Sequence, residues 1–260
     1  MAQRIASPDP LGAVEVRTDI GPLLLSADDQ VVTPYMQYHG AWEPEESTAI
    51  RELAHAGMTV VDVGAHCGYF TLLLAKLVDV TGSVVAVEPD PRNHALLCAN
   101  LQRAGVHNVR VVRAAACNRS GVASLSLSQE NTGDHRAYEW DSGRRTIQVD
   151  GLALDDLEPP LETLDLVKLD TQATEHLAIA GMERTLARFD PTMLVEFWPL
   201  GLRELGDPPA DVLDYYRQLG YEITMLGEPR VRSDAHPDHM VDAAERHQDG
   251  FCSLVLSRGR

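Results

Sequence analysis

The chain has 260 residues, 44% of them apolar, which is enough for one large, ordered α/β domain. No apolar run reaches the roughly 18 residues of a membrane span, and residues 1–19 lack the apolar core of a signal peptide, so we expect a cytoplasmic protein. The 39 Asp and Glu residues outnumber the 22 Lys and Arg residues, and the net charge of −17 makes nucleic acids and anionic membranes poor partners and favours a neutral or cationic small-molecule substrate.

Residues 1–57 form an extension before the first core strand. The segment 21–36 reads as a pair of strands, and 43–54 as a helix with carboxylates in its first turn, where the helix dipole favours them. We expect this extension to cover the substrate site of the domain formed by residues 58–260. No pattern in the sequence indicates an oligomeric state.

Residues 58–260 alternate between strand-like and helix-like segments. The strand-like segments are short, β-branched and apolar on both faces, as in a buried parallel sheet; they lie at 58–63, 83–88, 108–114, 164–170, 192–197, 221–226 and 252–257. The clearest helices are predicted at 69–78, 91–104, 174–188 and 209–219. This α/β alternation predicts a doubly wound, Rossmann-like sheet of seven strands.

Two segments interrupt this alternation. The runs 121–128 and 144–152 alternate with a period of two, which suggests an added hairpin at the edge of the sheet. The connection 227–250 before the last strand is polar and reads mostly as loop. A connection of this length permits an antiparallel last strand.

The first core strand ends in a glycine turn, Asp62-Val-Gly-Ala-His-Cys-Gly68. Gly64 permits a tight turn, and Gly68 permits close approach of a helix and a ligand. A dinucleotide fingerprint requires glycine at the positions of His66 and Tyr69, so NAD and FAD are disfavoured. No Gly-Lys-Ser/Thr follows the turn, which excludes a P-loop.

Two further features follow the second and third strands. Glu88 ends the second strand, 24 positions after Gly64, where a carboxylate can accept both hydroxyls of a ribose and argues against a 2′-phosphate. The small residues of 113–118 follow the third strand and leave room for a flat adenine. Recognition of ribose and adenine without a phosphate cradle points to S-adenosylmethionine.

The segments "VVDVGAHCGYFTLLLA", "VVAVEPDPRNHALLCANL" and "LVKLDTQATEHLAIAGM" resemble the FkbM family of S-adenosylmethionine-dependent methyltransferases. The element Gly40-Ala-Trp-Glu43 also resembles the family's Gly-x-Trp-Glu. The resemblance covers roughly residues 35–200 and implies the class I methyltransferase fold, with an antiparallel last strand. Because characterised members mostly methylate hydroxyl oxygens of natural products, sugars or polyketides, it also implies an O-methyltransferase.

The resemblance further implies a set of cofactor contacts. The glycine turn would lie along the methionine moiety, the end of the second strand on the ribose, and the small residues after the third strand at the adenine. The residues concerned are Asp62, Gly64, Ala65, His66, Gly68, Thr71, Glu88, Pro89, Asp90, Ala115 and Ala116.

Two positions depart from the family pattern. His66 replaces the usual Asn and could either bond the methionine carboxylate or merely fill the turn. Ala173 replaces the usual Gly, which suggests that the turn after the fourth strand needs no positive φ.

The candidate catalytic residues follow the fourth and fifth strands. Asp170 and Glu196 end adjacent strands of this topology, so their carboxylates could converge and hold a hydroxyl, an amine or a divalent cation. His176 could act as the base that an alcohol acceptor needs, and Glu175 precedes it. The structural alternatives are a helix N-cap for Asp170, dipole compensation for Glu175 and a solvent-facing position for His176.

A separate group of residues could wall the substrate pocket, although a plain core role is equally open for its aromatic members; the group is Tyr35, Tyr38, Trp42, Glu43 and Trp198. His236 and His239, among Asp234 and Asp238, have a loose metal-like spacing. We favour a solvated loop that could close over substrate, and predict no metal site.

The leading interpretation is an O-methyltransferase of small molecules. Two alternatives keep the fold: an N- or C-methyltransferase, or a nucleoside-binding protein that has lost catalysis. A nicotinamide dehydrogenase ranks last because the glycine pattern does not fit it.

Overall fold

The computed structural model describes residues 11–139, 143–227 and 235–259. The extension begins with an antiparallel pair, β1 (Ala13–Thr18) and β2 (Gly21–Ser26), followed by α1 (Val32–His39) and α2 (Pro44–Leu53). The predicted helix at 43–54 is confirmed, with Glu45 and Glu46 in its first turn. The strand pair predicted at 21–36 is wrong in its second half, because α1 buries Val32, Thr33 and Met36 on one helical face.

The rest of the chain follows the predicted alternation of strands and helices. Its elements are β3 (Thr59–Val63), α3 (Tyr69–Leu77), β4 (Ser83–Val87), α4 (Pro91–Ala104), β5 (Val109–Val112), β6 (Ala115–Ala116), β7 (Gly121–Leu127), β8 (Arg145–Leu152), a 3-10 turn (Leu154–Asp156), β9 (Leu166–Leu169), α5 (Glu175–Ala180), α6 (Glu183–Phe189), β10 (Thr192–Phe197), α7 (Pro199–Leu205), α8 (Pro209–Gln218), β11 (Glu222–Met225), α9 (Pro237–Arg246) and β12 (Cys252–Ser257).

Seven of these strands form one sheet in the order β11-β12-β10-β9-β3-β4-β5. β12 runs antiparallel to both of its neighbours, and the other neighbouring pairs are parallel. The predicted fold is therefore confirmed, including the antiparallel last strand. The chain leaves β3 in one direction for β4 and returns on its other side as β9, and such a switch point opens a crevice at the carboxyl ends of the strands.

The predicted hairpin exists, but it does not extend the edge of the main sheet. β7 and β8 pair antiparallel, and β6 adds beside β8 to make a separate three-stranded sheet. The loop 128–139, between β7 and β8, reaches back toward the crevice, and we call it the inserted loop.

Two helix predictions need correction. The helix expected at 174–188 is broken into α5 and α6 at Gly181, where a side chain would meet the Cys117 carbonyl oxygen at 1.9 Å. The connection 227–250, expected to be mostly loop, contains α9. That helix forms because it buries one apolar face, made of Pro237, Met240, Val241 and Ala244.

The extension packs directly on the core domain. The Asn100 side chain of α4 accepts a hydrogen bond from Leu24 N–H at 2.7 Å and donates one to the Leu24 carbonyl at 2.9 Å. Apolar residues of the extension, among them Leu23, Met36 and Ile50, share one cluster with Leu73 of α3. Within the residues that the structure describes, no helix has both the length and the apolar character that a membrane span requires.

Candidate active site

A cavity of about 580 Å³ opens at the carboxyl ends of the central strands, which is the size of a small-molecule site. Its wall is built from four parts of the chain: the turns that follow the core strands, the extension, the inserted loop and the segment around the start of β12. Gly64 and Glu88 line one part, the Glu88 end. Asp170 and Glu196 line another, the Asp170 end.

Gly64 joins the two ends of the cavity. Its φ is 78°, and a Cβ atom at this position would lie 1.7 Å from the Asp170 carbonyl oxygen. Only glycine permits this approach, so the turn requires it. Gly68, with a φ of 93°, is the N-cap of α3, and a Cβ atom there would lie 2.5 Å from the Leu97 side chain of α4. Gly68 does not line the cavity.

Glu88 is buried directly after β4, and backbone groups hold its carboxylate in place. One oxygen accepts the His66 N–H at 2.8 Å, and the other accepts the Asp90 N–H at 2.9 Å. Each oxygen keeps a lone pair for a further donor. Burial raises the pKa of Glu88 to about 8.

The other predicted cofactor residues either line the cavity or lie outside its lining. Pro89, Ala115 and Ala116 line the cavity near Glu88 and leave a flat apolar space. Asp90 instead caps α4, since its side chain accepts the N–H groups of Arg92 and Asn93. The remaining members lie behind the cavity wall: Ala65, and the buried pair in which the Thr71 hydroxyl donates to Asp62 at 2.6 Å.

The inserted loop closes the Glu88 end of the cavity. Thr132 of this loop lies 2.9 Å from the His66 ring nitrogen Nε2, and its carbonyl accepts a hydrogen bond from the Asn93 side chain at 3.0 Å. Thr132 and Asn93 both line the cavity, together with His66. Asn93 is only 2% exposed, so this anchor is buried.

Asp170 and Glu196 come together at the other end. β9 and β10 are neighbours, and the Gln172 amide nitrogen bridges the two carboxylates at 3.1 Å from Asp170 and 3.2 Å from Glu196. The turn that carries this amide has positive φ at Gln172, 56°, and at Ala173, 78°. The expectation that Ala173 needs no positive φ is therefore wrong, because the turn must swing the amide between the two carboxylates.

The Asp170 end concentrates negative charge around one buried lysine. Lys168 Nζ lies 3.1 Å from an Asp170 oxygen and 4.6 Å from the centre of the Phe70 ring. Burial alone would lower the pKa of Lys168, but the surrounding carboxylates raise it, so the ammonium stays charged. Burial and neighbouring carboxylates raise the pKa of both Glu43 and Glu196 well above the ordinary range.

The predicted Glu175 and His176 lie outside this cavity. Glu175 is buried and accepts the Thr171 N–H at 2.6 Å, and burial raises its pKa to about 7. His176 Nε2 lies 3.0 Å from an Asp207 oxygen, and burial lowers its pKa. A base must reach the proton that it removes directly or through one water. The position of His176 outside the cavity argues against its predicted catalytic role.

The predicted substrate wall is brought together only in part. Tyr35, Trp42 and Glu43 line the cavity, and the Tyr35 and Trp42 rings meet edge-on at 5.2 Å. Tyr38 is 86% exposed and lies off the cavity, on α1. Trp198 also lies off the cavity, beneath the Arg136 guanidinium at 4.6 Å from its ring.

His236 and His239 do not form a metal centre with the residues described around them. His236 caps α9, accepting the Asp238 N–H, and the two imidazole rings are 6.1 Å apart. Across residues 11–139, 143–227 and 235–259, no group of three or more His, Cys, Asp or Glu side chains is arranged to hold a metal ion. Asp234, the fourth residue of this prediction, lies outside the described residues.

Comparison with known proteins decides the family. The sequence profile described as the methyltransferase FkbM domain matches residues 62–223, which is more than half of the chain. This chain belongs to the FkbM methyltransferase family. The chain spans half or less of the length of two of its relatives, one curated protein and one FkbM crystal structure.

Individual proteins that resemble this chain match it only over a short segment or at low sequence identity. A protein-L-isoaspartate O-methyltransferase from Methanothrix thermoacetophila is 39% identical over 56 residues, a match that covers 22% of this chain and 27% of that protein. The crystal structure of methyltransferase FkbM from Methylobacillus flagellatus KT is 15% identical, with a TM-score of 0.50 over 81% of this chain and 50% of that one. The structure of M. jannaschii TYW2 in complex with AdoMet is also 15% identical, with a TM-score of 0.50 over 94% of this chain and 84% of that one.

The residues at the Glu88 end fit the nucleoside of S-adenosylmethionine. The Gly64 turn has no Cβ to obstruct it, Glu88 has lone pairs free for ribose hydroxyls, and Ala115 and Ala116 leave a flat space. When bound, this cofactor supplies an electrophilic methyl group on a positively charged sulfur. The chain's own residues then have to place an acceptor in line with that methyl group.

Several residues of this FkbM methyltransferase site were missed at the sequence level. Lys168 carried a usable signal, because it is the single charged residue within the apolar run of β9 and shares a sheet face with Asp170. Thr132 and Asn93 carried none, since they meet only through the inserted loop. The segment before β12 also lines the cavity, with His247 and Phe251, and was read as loop.

Proposed function

We propose that this protein methylates a hydroxyl oxygen of an uncharged or cationic small molecule, of the natural-product, sugar or polyketide type, in the cytoplasm. One observation carries the proposal: a single cavity contains both the nucleoside-compatible Glu88 end and the Asp170–Gln172–Glu196 cluster. An acceptor held at the cluster would share one cavity with the cofactor.

The charge of the cavity supports this substrate class. Seven carboxylates line it, and the described lining includes no Lys or Arg; the seven are Glu43, Glu45, Glu46, Glu88, Asp170, Glu196 and Asp249. An anionic substrate would meet no cationic side chain in this lining and would be repelled by those acidic groups that are ionised, whereas hydroxyl groups find acceptors and an ammonium finds partners. Tyr35 and Trp42 offer an apolar wall for the rest of the molecule.

Glu196 is the proposed general base. Burial and the neighbouring carboxylates raise the pKa of Glu196 well above its ordinary value, which makes its ionised form a stronger base. Gln172 donates to Glu196 and Asp170, and so fixes the spacing of the two carboxylates. The base would take the hydroxyl proton as the oxygen attacks the methyl group.

The test is turnover of the Glu196→Gln variant. We expect kcat for a hydroxylated acceptor to fall about 10²- to 10⁴-fold, the typical contribution of a general base, with S-adenosylhomocysteine affinity unchanged. Glu222, exposed on β11, provides the matched control Glu222→Gln, which keeps wild-type turnover. Unchanged kcat in the Glu196 variant would remove this residue from the mechanism.

A second candidate is N-methylation of an amine, because the carboxylate lining favours an ammonium group. Pairs of acceptors that differ only in carrying a hydroxyl or an amine, scored by S-adenosylhomocysteine release, separate the two. The position of an isotope-labelled methyl group in the product then identifies the acceptor atom.

A further inference from the structure

His66 presents an unused ring nitrogen to the cavity. Its backbone N–H donates to Glu88, and its ring Nε2 lies 2.9 Å from the Thr132 hydroxyl oxygen. The other ring nitrogen, Nδ1, makes no hydrogen bond to the described residues and is not buried away from solvent. The ring itself lines the cavity. The open side of this nitrogen is therefore the cavity itself.

Thr132 determines which ring nitrogen of His66 carries the proton. The Thr132 hydroxyl lies 2.6 Å from an Asp29 oxygen, which also accepts the Thr132 backbone N–H at 2.6 Å. Burial alone would raise the pKa of Asp29, but the hydrogen bonds from Thr132, Thr33 and Val31 outweigh it and lower the pKa. An ionised carboxylate only accepts, so the single hydroxyl proton of Thr132 goes to Asp29.

The Thr132 oxygen must then accept from His66, which places the imidazole proton on Nε2. Nδ1 is left with a lone pair directed at the cavity. Burial lowers the pKa of His66 to about 4, so the ring stays neutral at pH 7. A hydrogen bond from this nitrogen to the methionine carboxylate, one of the two sequence-based options, needs a proton that Nδ1 lacks.

We propose that His66 Nδ1 accepts a hydrogen bond from the bound cofactor, donated by a ribose hydroxyl or by the α-ammonium group. His66 lies between Gly64 and Glu88, at the end of the cavity that fits the nucleoside, and both groups are donors. The Asp29–Thr132–His66 chain thus makes the inserted loop and the extension parts of cofactor recognition. This inference rests on the proposed use of the cavity as the cofactor site.

The test compares three thioethers of 5′-deoxyadenosine by calorimetry: the methyl thioether, one carrying only an amine, and one carrying only a carboxylate. The variants are His66→Leu, which removes the imidazole ring, and Thr132→Val, which keeps the His66 ring but removes the Thr132 hydroxyl. We expect affinity to fall about tenfold, the worth of one hydrogen bond. A loss with all three ligands supports the ribose as donor, and a loss confined to the amine ligand supports the ammonium.

Two outcomes would overturn the proposal: no change with any ligand, or a loss confined to the carboxylate ligand. If the wild type binds none of the three, the cofactor site itself fails and this inference fails with it, which is a distinguishable result. Thr163→Val is the matched control, because Thr163 pairs with Thr59 at the amino end of β3, away from the cavity.

The tautomer provides a readout that a purely structural role would not change. In 15N-labelled protein we expect His66 to show a protonated Nε2 and an unprotonated Nδ1. Thr132→Ser, which keeps the hydroxyl, preserves this pattern, whereas Thr132→Val loses it. A protonated Nδ1 in the wild type would refute the assignment.

Discussion

At the Glu88 end of the cavity, backbone N–H groups already satisfy both oxygens of one buried carboxylate. At the Asp170 end, Asp170 and Glu196 share the Gln172 side-chain amide, and Asp170 and Glu43 lie near the buried Lys168 ammonium. The first arrangement is a fixed receptor with a defined shape. The second is a buried cluster in which burial and neighbouring carboxylates raise the pKa of Glu43 and Glu196, which suits proton transfer. Recognition and reactivity are thus separated within one cavity.

The largest effect should come from the glycine that joins the two ends. Gly64→Ala places a Cβ against the Asp170 carbonyl, and overpacking together with a positive φ should cost about 3–5 kcal/mol of unfolding free energy. Gly105→Ala is the matched control, since its φ of 64° is similar and no atom lies within 4 Å of the added carbon. Urea denaturation measures both, and equal losses would contradict the contact.

The fixed receptor is tested by Glu88→Gln. The variant turns an amide toward two backbone N–H donors and removes the charge that ribose hydroxyls would face. Above pH 8, where Glu88 is ionised, S-adenosylhomocysteine should bind the variant about 100-fold more weakly, or about 2.7 kcal/mol, which is the worth of a hydrogen bond to a charged group. Glu222→Gln should bind as the wild type does. Equal affinity of both variants in calorimetry would show that the ribose lies elsewhere.

The raised pKa of Glu88 predicts opposite pH trends for stability and for binding. Between its ordinary value of 4.5 and about 8, the folded protein holds a proton that the unfolded chain has released, so stability falls as pH rises through this window. Ribose hydroxyls favour the ionised carboxylate. Affinity for S-adenosylhomocysteine should therefore rise by up to about tenfold per pH unit until pH 8, then level off.

Comparing variants sharpens this pH test. Glu88→Gln should flatten both trends. Glu175→Gln should keep the binding trend, because Glu175 lies outside the cavity although burial raises its pKa to about 7. A binding slope that survives in the Glu88 variant would assign the titration to another group.

The smallest effect concerns the strained turn at the Asp170 end. Ala173 has a φ of 78°, so Ala173→Gly should relieve strain and raise the unfolding free energy by about 1 kcal/mol after the entropy cost of glycine. Ala178→Gly, inside α5, should lower it by about 1 kcal/mol. Thermal unfolding distinguishes the two signs. Destabilisation by Ala173→Gly would mean that packing of the methyl group outweighs the strain.

The sequence predicted the central sheet because its strands are buried on both faces and read as continuous apolar runs. Strand order then brought Asp170 and Glu196 together, as expected from adjacent strand ends. The spacing of Pro237, Met240, Val241 and Ala244 was a helical pattern, hidden within a polar segment.

Other features of the site depend on tertiary contacts that local patterns do not encode. The positive φ of Ala173 is imposed by the position of Gln172 between two carboxylates. The role of Thr132 depends on Asp29, 103 positions earlier, and on His66. Side-chain direction also decided which aromatic residues line the cavity, since Tyr35 does and Tyr38, on the same helix, does not.

The backbone N–H of Gln30 donates to the carbonyl of Glu130 at 2.8 Å, beside the Asp29–Thr132 contact. The extension and the inserted loop, which both line the cavity, are thus hydrogen-bonded to each other. A chimaera that exchanges only the extension or only the inserted loop would lose the contact between them and leave the pocket open to water.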